Sequence, residues 1–128
     1  MGNKKKIVIV DDDQKISSIL QELLAGQGFD TQTTNNPKEV VPLIKASEPD
    51  LILLDLLMPN LGGFEICEIL NKDKDTQGIP IIVISGLIDA ADIKRAYKLG
   101  VVSYFTKPLD LQELVKEINK VLAYKEGK

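Results

Sequence analysis

Short, mostly apolar runs alternate with amphipathic stretches along the whole chain, and this alternation limits the folds open to it. Ile7–Val10, Leu51–Leu54, Ile81–Ile84 and Val101–Phe105 are four such runs. Each has strand length, and a strand apolar on both of its faces must be covered on both. A weaker run over Phe29–Thr33 makes a fifth. Between them, Ile16, Ile19, Leu20, Leu23 and Leu24 repeat at the spacing of one helix face, as do Leu111, Leu114, Val115, Ile118, Val121 and Leu122 near the end. Asp110 with Glu113 three residues later reads as a capped start for that last helix, and Gly28 and Gly100 stand where helix-ending glycines belong. Strand and helix alternating with short connections predict an α/β fold, a parallel sheet with helices on both faces.

The 128 residues suit one domain, with a core expected over about 5–123 and a polar tail over 124–128. No repeat, low-complexity stretch or linker divides it. Pro42 lies inside the second helical pattern, so that helix is expected to be short, kinked, or to begin later than Pro37. An apolar share of 44% and a charged share of 27% exclude disorder, and no apolar run is long enough to cross a bilayer. A net charge of −3 argues against direct nucleic-acid binding. Met1-Gly2 lacks the Ser or Thr that myristoylation needs at Lys6, and no leader is read at the start, so a cytoplasmic protein is expected. The lone Cys67 has no disulfide partner. The chain has no histidine, so it is neither a phosphohistidine donor nor a histidine-based hydrolase.

In an open α/β sheet the ligand site lies beyond the carboxyl ends of the strands. Here those ends carry Asp11, Asp12 and Asp13 after the first strand, Asp55 after the third, Ser85 on the fourth, and Thr106, Lys107 and Pro108 after the fifth. Converging carboxylates repel unless a cation offsets them, and an oxygen-only donor set suits Mg²⁺. Each residue also has a plain structural reading. Asp13 is expected to cap the first helix, and Asp11 or Asp12 alone would serve as caps too. Ser85 alone would be a turn residue and Lys107 a surface charge. Asp55 is harder to dismiss, because it is flanked by Leu51–Leu54 and Leu56–Pro59, and a carboxylate in apolar surroundings needs a partner.

Val10-Asp11-Asp12-Asp13, Leu54-Asp55-Leu56-Leu57-Met58-Pro59, Ile84-Ser85-Gly86 and Tyr104-Phe105-Thr106-Lys107-Pro108 resemble, in order and spacing, the four signatures of the response-regulator receiver family of two-component systems. Gly62-Gly63 resembles that family's following loop. The resemblance implies a flavodoxin-like doubly wound sheet of five strands in the order 2-1-3-4-5. It implies that Asp55 accepts a phosphoryl group from a partner histidine kinase or phosphotransfer protein. Asp12, Asp55 and the Leu57 carbonyl would ligate Mg²⁺, with Asp11 acting through water. Lys107 would pair with one phosphoryl oxygen and Ser85 with another. Ser85 and Tyr104 would form the switch, Tyr104 turning inward on activation, although Tyr104 also reads as an ordinary strand aromatic. The fourth helix, fifth strand and fifth helix would carry the output to a protein target or an output domain, with a phosphorylation-dependent dimer possible. Such a domain is not an enzyme beyond its own phosphorylation and dephosphorylation. Leu57 and Leu87 occupy positions that tune dephosphorylation in the family. Both are apolar here, so a long-lived aspartyl phosphate is expected.

The nearest competitor is a haloacid-dehalogenase-like phosphatase with Asp11 as nucleophile, since Asp11-x-Asp13, Ser85 and Lys107 imitate its signatures. It lacks the Gly-Thr after the pair and leaves Asp55 unexplained. A flavodoxin-like nucleotide binder would set three aspartates against a phosphate. A calcium loop at Asp73–Gly78 would place Ile84 where an acid is required. A binding-only relative of the receivers is the remaining class, but every residue needed for phosphorylation is in place.

Overall fold

The computed structural model describes residues 4–58 and 61–125. Five strands, β1 (Lys6–Val10), β2 (Asp30–Thr34), β3 (Leu51–Leu54), β4 (Ile81–Ser85) and β5 (Ser103–Thr106), form one sheet in the order β2-β1-β3-β4-β5, all neighbours parallel. Between and after them run α1 (Gln14–Gly26), α2 (Pro37–Ser47), α3 (Gly63–Lys72), α4 (Ala90–Lys98) and α5 (Leu111–Lys125). This is the predicted doubly wound α/β fold, with strand order 2-1-3-4-5. A short antiparallel pair, Leu57–Met58 with Leu61–Gly62, follows β3.

The two-residue period of a strand sorts the apolar runs onto two faces. Val8, Val10, Ile52, Leu54, Ile81 and Val83 face α2, α3 and α4, meeting Val40, Ile44, Ile66, Cys67, Leu70 and Ala96. Ile7, Ile9, Leu51, Leu53, Ile82 and Ile84 face α1 and α5, meeting Leu20, Leu24, Leu114, Ile118 and Leu122. Each such side chain, moved fully out of water, contributes roughly 1.5–3 kcal/mol before chain entropy is subtracted. Burial of Cys67 pushes its thiol up to about 12, so it is packing material rather than a nucleophile at neutral pH. Among the described residues no helix is long and apolar enough to cross a membrane.

Several expected boundaries move. The second strand is displaced by one residue because Phe29 belongs to the core under α1 and α5, not to the ladder. The fifth begins at Ser103. Val101 is buried from the preceding turn rather than from the strand. The expectation of a late or short second helix fails: α2 starts at Pro37, is capped by the Asn36 side chain on the Lys38 N–H, and runs 11 residues through Pro42. Pro42 is exposed, so the carbonyl it leaves without an N–H partner faces water, while Val40 and Ile44 on the opposite face are fully buried. α5 continues through Tyr124 and Lys125, the first two residues of the stretch expected as tail. The Met1-Gly2 reading, Pro59 and residues 126–128 lie outside the described residues. Gly28 and Gly100 do end their helices, at φ 93° and 100°. Asp110 accepts from the Glu113 N–H at 3.2 Å, as its expected cap role requires.

Candidate functional site

Strand register brings the site together. Val10 pairs with Leu54, so Asp11 and Asp55 are the first residues beyond neighbouring strands. Their backbones stay tied to the sheet there: Asp55 N–H donates to the Val10 carbonyl at 2.9 Å and Asp11 N–H to the Thr34 carbonyl at 3.3 Å. Across the sheet Ser85 pairs with Thr106, and Lys107 N–H donates to the Ser85 carbonyl at 2.9 Å. The Lys107–Pro108 peptide is cis.

Asp11 and Asp55 are each 2% exposed and Ser85 is fully buried. Lys107 Nζ donates to Asp11 Oδ2 at 2.9 Å and to Asp55 Oδ2 at 3.0 Å. The other oxygen of each carboxylate accepts a backbone N–H two residues on, from Asp13 at 2.9 Å and from Leu57 at 2.9 Å. Each carboxylate is thus held at both oxygens, which fixes its direction. Burial pushes the Asp55 carboxyl above its ordinary value; the Leu57 N–H and Lys107 oppose that rise, and the Asp11 charge adds to it. For Lys107 burial is the largest single influence and lowers its value, but the hydrogen bonds and charges of Asp11 and Asp55 together prevail and hold the ammonium above the usual lysine value.

Asp13 accepts from the Lys15 and Ile16 N–H groups at 3.0 and 3.3 Å, which makes it the N-cap of α1. Asp12 is exposed at the mouth, and carboxylate oxygens of Asp11, Asp12 and Asp55 lie within 4.8 Å of one another. Three oxygen donors with no nitrogen or sulfur ligand fit a hard divalent cation such as Mg²⁺. Leu57 borders the mouth and is 54% exposed.

One contact was not legible beforehand. Leu87 is held through both of its backbone polar groups, its N–H donating to Ser85 Oγ at 3.1 Å and its carbonyl accepting from the Tyr104 hydroxyl at 2.8 Å. Tyr104 is therefore half-buried and turned toward the β4–α4 connection. Burial, opposed by the Ser85 hydroxyl, pushes its phenol up. Sequence could show Ser85 and Tyr104 on adjacent strands, but not that a backbone group of Leu87 joins them.

The model of the response regulator receiver domain family matches residues 7–119. The chain belongs to that family. The DNA-binding response regulator MtrA of Mycobacterium tuberculosis (strain ATCC 25618 / H37Rv) is 31% identical over 115 residues, covering 90% of this chain and 49% of that protein. This receiver domain thus spans about half the length of the curated relatives it matches. Among solved structures, the CheY-like response regulator receiver domain protein of Methanospirillum hungatei JF-1 is 25% identical, with a TM-score of 0.91 over 98% of each chain. The receiver domain of the Francisella response regulator 1452 is 30% identical, with a TM-score of 0.87 over 94% of this chain and 98% of that one. The family match leaves the phosphatase reading without support.

Proposed function

We propose that the chain is a single receiver unit whose Asp55 accepts a phosphoryl group from a partner histidine kinase or phosphotransfer protein. The observation that carries this is a buried Asp55 carboxylate, clustered with Asp11 and Asp12 and held by Lys107 at the carboxyl end of β3. In the transfer an Asp55 oxygen forms a bond to phosphorus while the phosphorus–donor bond breaks, and the donor leaves with that electron pair. The step needs charge neutralisation and alignment more than covalent help. Asp12, Asp55 and the Leu57 carbonyl would hold Mg²⁺, with Asp11 reaching it through water. Bound there, Mg²⁺ would supply neutralisation of charge developing on the phosphoryl oxygens. Lys107 would pair with one of those oxygens and the Ser85 hydroxyl with another. The domain acts only on itself, catalysing its own phosphorylation and dephosphorylation.

The same reading assigns the switch to Ser85 and Tyr104. A phosphoryl group adds roughly −1.5 to −2 charge. Ser85 turned toward it withdraws the acceptor of the Leu87 N–H, and the Tyr104 bond to the carbonyl of the same residue senses the change. Output then passes through α4, β5 and α5 to a protein target or an output domain, with dimerisation on phosphorylation as one form of that output. MtrA is named as DNA-binding; in this chain the net charge of −3 favours a domain that does not itself touch nucleic acid. A cytoplasmic location belongs to the same proposal.

Intact-mass analysis after incubation with a small phosphodonor and Mg²⁺ tests the core of it. Wild type should gain one phosphoryl mass and Asp55→Asn none. Equal labelling of both variants would reject Asp55 as the acceptor.

A further inference from the structure

Gly62-Gly63 is a motif that the roles above leave unused. Gly63 opens α3 and is buried against the segment that carries the site. A Cβ added to it would stand 2.6 Å from Leu56 Cα, 2.8 Å from the Leu56 carbonyl oxygen and 3.0 Å from its carbonyl carbon. At such distances something must shift, and the obstacle is main chain. Backbone conformation is not what demands glycine here, because among the described glycines only Gly28 and Gly100 have positive φ. In a helix, alanine is otherwise the better residue. Gly62 is the contrast. A Cβ there would fall 1.4 Å from Glu65 Oε2, but that atom ends an exposed, flexible side chain that can swing away.

Leu56 cannot easily give ground. It is 5% exposed and packed in the same core cluster as Ile66 and Cys67 of α3. Its main chain joins Asp55 to Leu57, the residue whose N–H fixes Asp55 Oδ1. Leu57 in turn pairs with Gly62, directly before α3. Any displacement of Leu56 is therefore delivered to the Asp55 carboxylate and the Leu57 peptide.

We propose that Gly63 is a positioning residue for the phosphoacceptor: by letting the first turn of α3 rest on the Leu56 main chain, it fixes the direction of the Asp55 carboxylate and the Leu57 peptide. The proposal rests on the reading of Asp55 given above. A misplacement on the order of 1 Å is enough to cost about 10²-fold in rate.

The test compares wild type, Gly63→Ala and Gly62→Ala in the 128-residue chain. Labelling by acetyl phosphate at saturating Mg²⁺ is followed by intact mass, folding by circular dichroism, and the Leu57 amide by its NMR resonance. Gly63→Ala is expected to stay folded, to label about 10- to 100-fold more slowly, and to shift the Leu57 amide. Gly62→Ala, despite the nominally closer contact, is expected to match wild type in all three. A folded Gly63→Ala that labels at the wild-type rate, or whose Leu57 amide stays in place, overturns the proposal. A Gly63→Ala that fails to fold overturns it too, since the glycine then serves the fold rather than the site. If wild type itself takes no label on Asp55, the phosphoacceptor reading falls, and the Leu57 amide comparison still decides whether Gly63 sets the local geometry.

Discussion

Both ends of the sheet carry lysine–aspartate contacts of hydrogen-bond length. At the amino-terminal end of the strands, Lys45 in the last turn of α2 meets Asp73, just beyond α3, at 2.6 Å. At the carboxyl end Lys107 meets Asp11 and Asp55 at 2.9 and 3.0 Å. In the open pair each partner stabilises the other's charge: the hydrogen bond to Lys45 holds the Asp73 carboxyl below its ordinary value, and Asp73 raises Lys45. In the buried cluster desolvation outweighs the ammonium, so Asp55 is pushed up although its pair is as well formed. Distance alone does not separate a surface pair from a candidate site. Burial does, because it leaves a carboxylate short of stabilisation that another positive group can supply.

The comparison is broken most forcefully by removing each lysine. Lys107→Ala strands two buried carboxylates and should cost about 3 kcal/mol in metal-free urea titrations. A loss no larger than that of Lys45→Ala would erase the distinction between the two ends.

Next in size is the lifetime of the phosphorylated form. Leu57 and Leu87 offer no side-chain group to orient an attacking water at the carboxyl rim. Leu57→Asn should shorten the decay of phosphorylated protein in Mg²⁺ buffer by roughly 10-fold, a modest share of what a positioned polar group can contribute. Decay no faster than wild type would show that the apolar rim does not protect the acyl phosphate.

A smaller effect concerns Asp55 itself. Its folded carboxyl holds a proton more tightly than the unfolded chain does. Its charge therefore opposes folding at neutral pH, and the opposition fades as pH falls through the raised folded value toward the ordinary one. Asp55→Asn should thus be more stable than wild type at pH 7 in metal-free buffer, with the advantage vanishing near pH ~4. A variant less stable at pH 7 would mean that Lys107 overcomes desolvation after all.

The smallest effect is expected at the open pair. Asp73 is depressed, so any contribution it makes is present at neutral pH and lost as pH falls through its folded value. Because the pair is solvated, Lys45→Ala should leave the urea midpoint unchanged in salt of about 1 M.

The sequence was most legible where burial is two-sided. β1, β3 and β4 are runs that cannot face water, and in a parallel sheet their carboxyl ends must share one rim. Asp11, Asp55, Ser85 and Lys107 could therefore be grouped without coordinates. The edges were read less well. β2 is largely polar because a strand at the end of a sheet has little to bury, and its neighbour Phe29 carries the apolar signal instead. Pro42 misled because its cost depends on which face of α2 it occupies, and only packing reveals that. The Leu87 backbone between Ser85 and Tyr104, and the contact of Gly63 with Leu56, involve main-chain atoms, which every residue possesses and no residue type announces.

Lys107 has one further consequence. An ammonium bonded to both Asp11 and Asp55 serves as a built-in counter-ion, so part of the acidic pocket's charge is already offset when no divalent cation is bound. Folding therefore does not wait on metal supply. A chelator should silence such a pocket while leaving the sheet around it standing, and the domain can await its ion fully assembled.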